Sequence, residues 1–309
     1  MRWSDRIAGA RQLFARRLQA AEDVNFVPPM NNKTPYVRFS LALALLLALA
    51  PAHPSRAETL TVGGTGTSAP LVERLAHAYS KLKPDVTVRV VSPPMGSNGA
   101  IRAALAGAID LAVAGRPLTD AERAQGGQDR ELGRTALAFV TSKAPAPPGW
   151  SVDDLASIYA GKVTHWADGS PIRIVMRSQG ESDTATLRSL SPAMNAAVDA
   201  AYTWPGMLIA ANDLDNIAML EKTPGSLGMS SLSLRLQGGP LHPIALQGKL
   251  PSLAAVRAGD YPHLKVLYLV RGARLSETGR GFLEFIFSAA GAVVVERSGY
   301  LPARAGHPR

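Results

Sequence analysis

The chain has 309 residues, of which 46% are apolar and 18% are charged. This composition predicts a folded protein with a sizeable core, large enough for two ordinary domains, and argues against wholesale disorder. The formal net charge is +9, but residues 1–57 hold eight Lys/Arg against three Asp/Glu, and the remainder holds 25 against 21. Because the excess beyond residue 57 is small, we expect no nucleic-acid partner.

The side chains that bind metals or form covalent intermediates are sparse. The sequence contains no cysteine, which excludes disulfides, thiolate metal sites, cysteine catalysis and a lipid anchor on an N-terminal cysteine. The histidines beyond residue 57 show neither i, i+4 spacing nor an HExxH pattern. We therefore expect no metal and no cofactor.

The N-terminal segment has the pattern of an export signal. Residues 39–50 form an apolar run of twelve, too short to span a bilayer and preceded by Lys33 and Arg38. Small residues around Arg56 predict cleavage after Ala57, and Met30 would begin an ordinary signal peptide, with 1–29 as an upstream extension. We expect a periplasmic protein starting at Glu58, which a mass spectrum of the secreted chain would check.

Beyond residue 57 the apolar periodicity predicts alternating strands and helices. Strands are predicted over 59–62, 86–90, 109–114, 135–142, 172–176, 227–231, 242–246 and 265–270. Helices are predicted over 70–82, 97–106, 151–160, 182–190, 192–202, 213–222, 277–288 and 291–297, with another opening at a Thr119–Glu122 capping box. The alternation indicates an α/β fold with mostly parallel sheets and a ligand at the carboxyl ends of the strands.

The first loop with ligand-binding chemistry is 63–68, GGTGTS, between a predicted strand and a predicted helix. Its glycines allow close backbone approach, and free N–H groups at a helix start bind anions, although an ordinary cap would look the same. The pattern Gly64-x-Gly66-x-x-Ala69 also loosely matches a dinucleotide-binding motif. That interpretation fails because the next strand ends in Val90-Val91-Ser92-Pro93, without the acid that would hold a ribose.

Two further loops repeat the strand, loop and helix order. Residues 95–99, MGSNG, offer Ser97 as a side-chain donor. Residues 177–184, RSQGESDT, place Arg177 beside a hydroxyl-rich helix start. Arginine suits bidentate contact with a tetrahedral oxyanion, although a surface salt bridge is the alternative for this loop taken alone.

In series these motifs resemble those of the periplasmic phosphate-binding proteins of ABC importers, in the type II solute-binding superfamily. The resemblance runs from about Leu60 to Val270. Its segments are GGTGTSAPLVERLAHAY, MGSNGAIRAALAGAIDLAVAGRPLTDAE, DLASIYAGKVTHWADGSPIRIVMRSQGESDTATLR and TPGSLGM. It implies a two-lobed periplasmic-binding-protein fold, with residues 58–138 and 240–309 in one lobe and 139–239 in the other.

The resemblance also implies a ligand in the cleft between the lobes, held by matching positions. The candidate ligand-binding residues are Thr67, Ser68, Ala69, Ser97, Asn98, Arg116, Arg177, Glu181, Ser182, Asp183 and Thr184. Ala69 would contribute its backbone N–H, and hinge closure would bury the anion.

The sequence departs from the family at two places in this set. Phosphate binders of the family usually carry Asp where this chain has Gly115, and Ser-Gly-Thr where it has Glu181-Ser182-Asp183. Either Asp183 or Glu181 replaces the missing proton acceptor, which keeps phosphate as the ligand, or Arg116 pairs with these carboxylates and the pocket holds another anion or a zwitterion. Asp183 as an outward-facing helix cap is the third possibility. Asp213 and Asp215 could border the cleft, but capping a helix is the simpler expectation.

The predicted function is an exported, monomeric solute-binding protein that captures an oxyanion, phosphate first, and delivers it to an ABC importer permease. The alternative is an extracytoplasmic sensor or interaction protein with another anionic or zwitterionic ligand. An enzyme is not expected, because the sequence has no GxSxG elbow, P-loop or metal cluster.

Overall fold

A computed structural model of the chain describes residues 58–236 and 238–303. The predicted export segment and cleavage site lie outside these residues. The strands are β1 Glu58–Gly64, β2 Val86–Val90, β3 Leu111–Ala114, β4 Gln128–Thr141, β5 Arg173–Arg177, β6 Leu208–Ala210, β7 Ser226–Ser231, β8 His242–Ile244, β9 Leu264–Arg271 and β10 Leu301–Pro302.

The helices alternate with these strands and flank the sheet. A 3-10 turn over Gly66–Ser68 precedes the first of them. The helices are α1 Ala69–Ser80, α2 Gly96–Leu105, α3 Asp120–Ala124, α4 Val152–Tyr159, α5 Ser182–Arg188, α6 Pro192–Tyr202, α7 Asp213–Lys222, α8 Leu232–Arg235, α9 Leu253–Ala258, α10 Glu277–Ile286 and α11 Ala289–Arg297. The α/β class predicted from the sequence is confirmed.

The strands form one sheet in the order β2-β1-β3-β9-β4-β7-β5-β6, with β8 and β10 also paired to β4. Parallel pairs lie towards the two ends, where β1 pairs with β2 and β3, and β5 pairs with β6 and β7. The middle ladders, from β3 through β9 and β4 to β7, are antiparallel. The expectation of mostly parallel pairing therefore holds for the outer strands and not for the middle of the sheet.

Strand β4 changes its main partner along its length. Residues 128–136 pair with β9, and residues 137–141 pair with β7 and β8. We call β1, β2, β3, β9, β10 and residues 128–136 the first sheet region, and β5 to β8 with residues 137–141 the second sheet region. The larger core cluster lies mainly in the second sheet region, but Ala136 of β4 belongs to it and Leu264 of β9 packs against it, while a separate cluster lies in the first sheet region.

In the first sheet region, aromatic rings form much of the core. Phe282 and Phe285 of α10 lie 5.1 Å and 5.3 Å, centroid to centroid, from the ring of Tyr79 on α1. Phe282 is fully buried, and burying a side chain of this size contributes about 1.5–3 kcal/mol. The helix predicted to reach residue 82 ends at Ser80, and Leu82, in the following turn, is 61% exposed.

In the second sheet region, the aromatic core is built around tryptophan. Trp150 and Trp166 stack with ring centroids 5.4 Å apart, and Trp204 packs against the same cluster. The Trp166 indole N–H donates to the Gly225 carbonyl at 3.2 Å. The stack therefore secures the loops around β5 and β7, which lead to the site described below.

Several helix boundaries agree with the sequence. The capping box of Thr119 and Glu122 is present, and α6 and α7 have the predicted bounds. Helix α2 begins at Gly96, one residue before the predicted start, and its N-cap position is Met95, with no side-chain cap. Strand β6 and helices α8 and α9 were not predicted, since each has only three to six residues.

Among the described residues, no single helix is long and apolar enough to cross a membrane. Helices α10 and α11 meet that criterion only as a pair, bent by 64° at their junction. Phe282, Ile286 and Val295 of this pair are buried in the core of the first sheet region, which accounts for their apolar character.

Candidate ligand-binding site

Four segments meet where the two sheet regions face each other. Loop 63–68 follows β1 and loop 95–99 opens α2, both in the first sheet region. Loop 177–184 follows β5, and Asn212 precedes α7, both in the second. Hydrogen bonds join the two sides: the Thr67 N–H donates to Asp213 Oδ2 at 3.0 Å, and Asn98 Nδ2 donates to the Gly180 carbonyl at 2.9 Å.

Arg177, the last residue of β5, is the buried cation of this junction. Its side chain is only 5% exposed, and three carboxylates surround it. Asp213 Oδ1 lies 3.1 Å from Nη1, Glu181 Oε2 lies 3.5 Å from Nη2, and Asp183 Oδ2 lies 3.7 Å from Nη1. The close approach of Asp213 is an ion pair without hydrogen-bond alignment, because neither Nε nor Nη1 has a hydrogen-bond partner among the described residues. Buried donors of this kind call for an acceptor.

Lys265 of β9 is a second buried cation, and the sequence did not single it out. Its Nζ donates to Asp183 Oδ2 at 2.7 Å and lies 3.5 Å from Asp213 Oδ1. The sequence pattern of β9 could have indicated it, because residues 265, 267 and 269 alternate onto one face of the strand, and Lys265 is buried there with Leu267 and Leu269. A lysine at an inward position of a strand is unusual unless it is paired.

Asp183 faces this cluster, so the possibility that it is an outward-facing helix cap is wrong. It lies in the first turn of α5, and its carboxyl group is buried between Lys265 and Arg177. Burial raises the pKa of Asp183, and Asp213 adds to the increase, while Lys265 and Arg177 oppose it.

Asp213 also belongs to the cluster, although the sequence favoured a capping role. The cap of α7 is Asn212, whose side chain accepts from the N–H groups of Leu214 and Asp215. Burial acts to raise the pKa of Asp213, but Lys265, Arg177 and the Thr67 N–H together hold it below its usual range. Asp215 is exposed and does not face the cluster.

In the first sheet region, most of the candidate ligand-binding groups form hydrogen bonds to neighbouring protein groups. Ser68 Oγ donates to the Thr65 carbonyl at 2.8 Å, and the Ala69 N–H donates to the Gly66 carbonyl. Thr67 Oγ1 is buried without a partner among the described residues. Ser97 Oγ accepts from the Gly115 N–H at 2.9 Å, so this hydroxyl joins neighbouring loops rather than capping α2.

A pair of serines across the junction lies against Gly115. Ser97 Oγ lies 3.0 Å from Ser182 Oγ of the second sheet region. A Cβ added at Gly115 would lie 2.7 Å from Ser182 Oγ, which is too close. A side chain at position 115 would therefore require the Ser182 hydroxyl to rotate away from Ser97.

Two of the predicted residues point elsewhere. Arg116 forms a bidentate pair with Glu122, both bonds at 2.8 Å, and its Nε donates to Asn98 Oδ1. It therefore does not pair with Glu181 or Asp183, as one hypothesis required. The side-chain hydrogen bond from Arg116 lowers the pKa of Glu122 to about 2. Thr184 Oγ1 donates to the Ser178 carbonyl at 2.9 Å and so stabilises its own loop.

Tyr300 was also not predicted. Its hydroxyl donates to the Thr67 carbonyl at 3.1 Å and accepts from Ser233 Oγ at 2.9 Å. It thereby connects loop 63–68 to α8.

No group of three or more His, Cys, Asp and Glu within residues 58–236 and 238–303 is arranged to hold a metal ion.

A family model described as the PBP superfamily domain matches residues 49–290. The chain belongs to the PBP superfamily. The phosphate-binding protein PstS of Borreliella burgdorferi is 20% identical over 251 residues, which is 78% of this chain and 89% of that protein. Phosphate-binding protein PstS 2 of Streptococcus pneumoniae is 31% identical over 107 residues, 35% of this chain and 36% of its own length.

Solved structures share the fold of this PBP-superfamily chain. A Clostridium perfringens substrate-binding protein assigned to phosphate ABC transport, with phosphate bound, matches with a TM-score of 0.69, 20% identity, and 80% and 100% of the two chains covered. An ABC-type phosphate transport receptor from Vibrio cholerae matches with a TM-score of 0.61 at 20% identity, with the same coverage. At these identities the structural matches show the fold and do not fix the ligand.

In this PBP-superfamily protein, Asp213→Asn is expected to lower the free energy of unfolding by about 2–4 kcal/mol at pH 7, because it removes one partner of a buried ion pair. The pKa of Asp213 is lower in the folded state than in the unfolded state. Its carboxylate therefore contributes fully to the free energy of unfolding above the unfolded-state pKa of about 4, and this contribution decreases as the pH falls below about 4. Urea unfolding at pH 7 and pH 3 measures this: the difference from the unmodified protein should shrink at pH 3. Asp215→Asn is the matched control and should change stability by less than about 0.5 kcal/mol.

Proposed function

We propose that the chain is an extracytoplasmic solute-binding protein that captures a small oxyanion-bearing solute at Arg177 and delivers it to an ABC importer permease. The observation that carries the proposal is the buried guanidinium with Nε and Nη1 unpartnered. An oxyanion is the acceptor that best satisfies a buried guanidinium, through charge-assisted and often bidentate bonds. Inorganic phosphate is the reference ligand, because the curated relatives are named phosphate-binding proteins.

Ligand capture would occur by closure of two lobes, 58–138 with 240–309, and 139–239. The exchange of partners by β4 near residue 137 supports this division. The hydrogen bonds of Thr67 to Asp213 and of Asn98 to Gly180 join the two sides across the candidate cleft. Closure would bring the polar groups of both lobes onto one ligand.

Isothermal titration of the chain, unfolded and refolded to strip any ligand, tests the binding step. The panel is phosphate, sulfate, molybdate, ethylphosphonate and 2-aminoethylphosphonate. Heat with at least one member, lost in Arg177→Met and kept in the surface variant Arg188→Met, supports the proposal. The absence of heat with every member contradicts it, as does catalytic hydrolysis of a phosphate ester that depends on Arg177.

The delivery step has its own test. Disrupting the gene should lower cellular uptake of the ligand identified by titration, and the gene encoding the unmodified chain should restore it. Retained uptake together with measurable binding would instead favour the sensor or interaction protein considered from the sequence.

A further inference from the structure

The charges around Arg177 do not balance, and the excess is negative. Two cations, Arg177 and Lys265, lie within 4 Å of three carboxylates, Glu181, Asp183 and Asp213. The two aspartates are almost fully buried and lie between the two cations. The carboxylate left over is Glu181.

Glu181 differs from the aspartates in its surroundings. Its side chain is 22% exposed, and Arg177 at 3.5 Å is its only ion-pair partner in the described part of the chain. Its carboxylate accepts no hydrogen bond from the described residues, whereas Asp183 accepts from Lys265 and Asp213 accepts from the Thr67 N–H. Burial raises the pKa of Glu181; Arg177 opposes this change, while Asp213 and Asp183 add to it.

The Glu181 carboxylate also faces the opposite sheet region. A Cβ built on Gly96 would lie 2.7 Å from Glu181 Oε1, and Gly96 has a φ of +67°. Glycine at the start of α2 thus leaves room for this carboxylate between the two sides of the junction. The Glu181 carboxylate therefore lies between Arg177 Nη2 and the start of α2.

The same cluster also contains unpartnered hydrogen-bond donors. Arg177 Nε and Nη1 have no hydrogen-bond partner, and Thr67 Oγ1 is buried without one among the described residues. Arg177 is 95% buried, so these donors form part of a built site and not of a solvated surface.

The unpartnered donors of Arg177 and the unpaired carboxylate of Glu181 favour ligand groups of opposite charge. The unpartnered guanidinium donors call for an oxyanion group, yet a simple anion would add negative charge to a buried cluster that already has an uncompensated carboxylate. A solute that also carries a cationic group meets both requirements, because this group can pair with Glu181.

We propose that the ligand is a small zwitterion, whose oxyanion group binds Arg177 Nε and Nη1 and whose ammonium group binds the Glu181 carboxylate. This inference rests on the proposed function and narrows its ligand class. Glu181 is then the residue that sets specificity, selecting against phosphate and other simple anions.

A matched pair of ligands tests the proposal. 2-Aminoethylphosphonate and ethylphosphonate have the same phosphonate and carbon chain and differ in the ammonium group. In titrations at pH 7 we expect 2-aminoethylphosphonate to bind at least 30-fold more tightly than ethylphosphonate and more tightly than inorganic phosphate. Glu181→Gln should reduce the ratio between the pair to below about threefold, while Asp215→Asn, an exposed carboxylate near the same junction, should leave it unchanged.

Glu181→Ser provides a second neutral variant if Glu181→Gln does not fold, as judged by its thermal unfolding, and should also remove the preference. Phosphate or ethylphosphonate binding as tightly as 2-aminoethylphosphonate would overturn the zwitterion while leaving oxyanion capture intact. A preference that survives both substitutions would overturn the role of Glu181. Heat from none of the ligands would count against the proposed function itself.

Discussion

Replacing Arg177 with methionine is expected to abolish oxyanion binding and to destabilise the fold at the same time. The substitution keeps an aliphatic stem but leaves Asp213, Asp183 and Glu181 with Lys265 as their one neighbouring cation in the described part of the chain. Removing one member of a buried ion-pair network typically costs about 3–5 kcal/mol. We expect ligand affinity to fall at least 100-fold, because the substitution removes the charge-assisted hydrogen bonds from the guanidinium to the oxyanion group of the ligand.

Titration calorimetry and urea unfolding measure the two effects separately. Arg188→Met is the control, because Arg188 pairs with the exposed carboxylate of Asp199, and surface pairs contribute about 0–1 kcal/mol. Unchanged affinity in a folded Arg177→Met protein would show that the solute binds elsewhere. Unchanged stability would show that the three carboxylates are solvated in solution.

The second large effect is expected at Lys265. Lys265→Met should lower the free energy of unfolding by about 3–5 kcal/mol at pH 7, because it leaves Asp183 buried without its 2.7 Å hydrogen bond from Nζ. Asp183 already has a raised pKa, and losing the nearby cation raises it further. The folded variant should therefore bind a proton that the unfolded chain releases, so its loss of stability should be smaller at pH 4 than at pH 7.

A double-mutant cycle isolates this pair. Asp183→Asn in the Lys265→Met background removes the stranded charge and should recover at least about 1 kcal/mol relative to Lys265→Met alone. Additive effects of the two substitutions would mean that the contact between Nζ and the carboxylate contributes nothing to stability, contrary to its geometry.

The sequence predicted the parts of this molecule whose signals are local. Apolar periodicity and caps located most helices and strands, and the strand, loop and helix order located Arg177 and loop 63–68. The first part of β4 was missed, because charged residues hide its alternation. Arg130 stacks on the Phe287 ring at 3.7 Å, and Glu131 pairs with Arg134.

The electrostatics of the site could not be predicted in the same way. Asp213 reaches the Thr67 N–H across 146 residues of sequence, and Lys265 reaches Asp183 across 82. Neither pairing leaves a pattern in the residues around it, since each depends on which strands become neighbours in the sheet. The inward position of Lys265 on β9 was the one local clue that an unseen partner exists.

The placement of the tryptophans has a practical consequence for optical measurements. Trp150, Trp166 and Trp204 all belong to the second sheet region, where they surround one cluster. In a chain that begins at Glu58, and so lacks Trp3, tryptophan emission would report on the surroundings of the second sheet region. A rigid closing movement that leaves this region intact would then leave the emission wavelength almost unchanged. A domain-closure signal needs a fluorophore attached in the first sheet region, whereas the native emission is a selective probe for melting of the second.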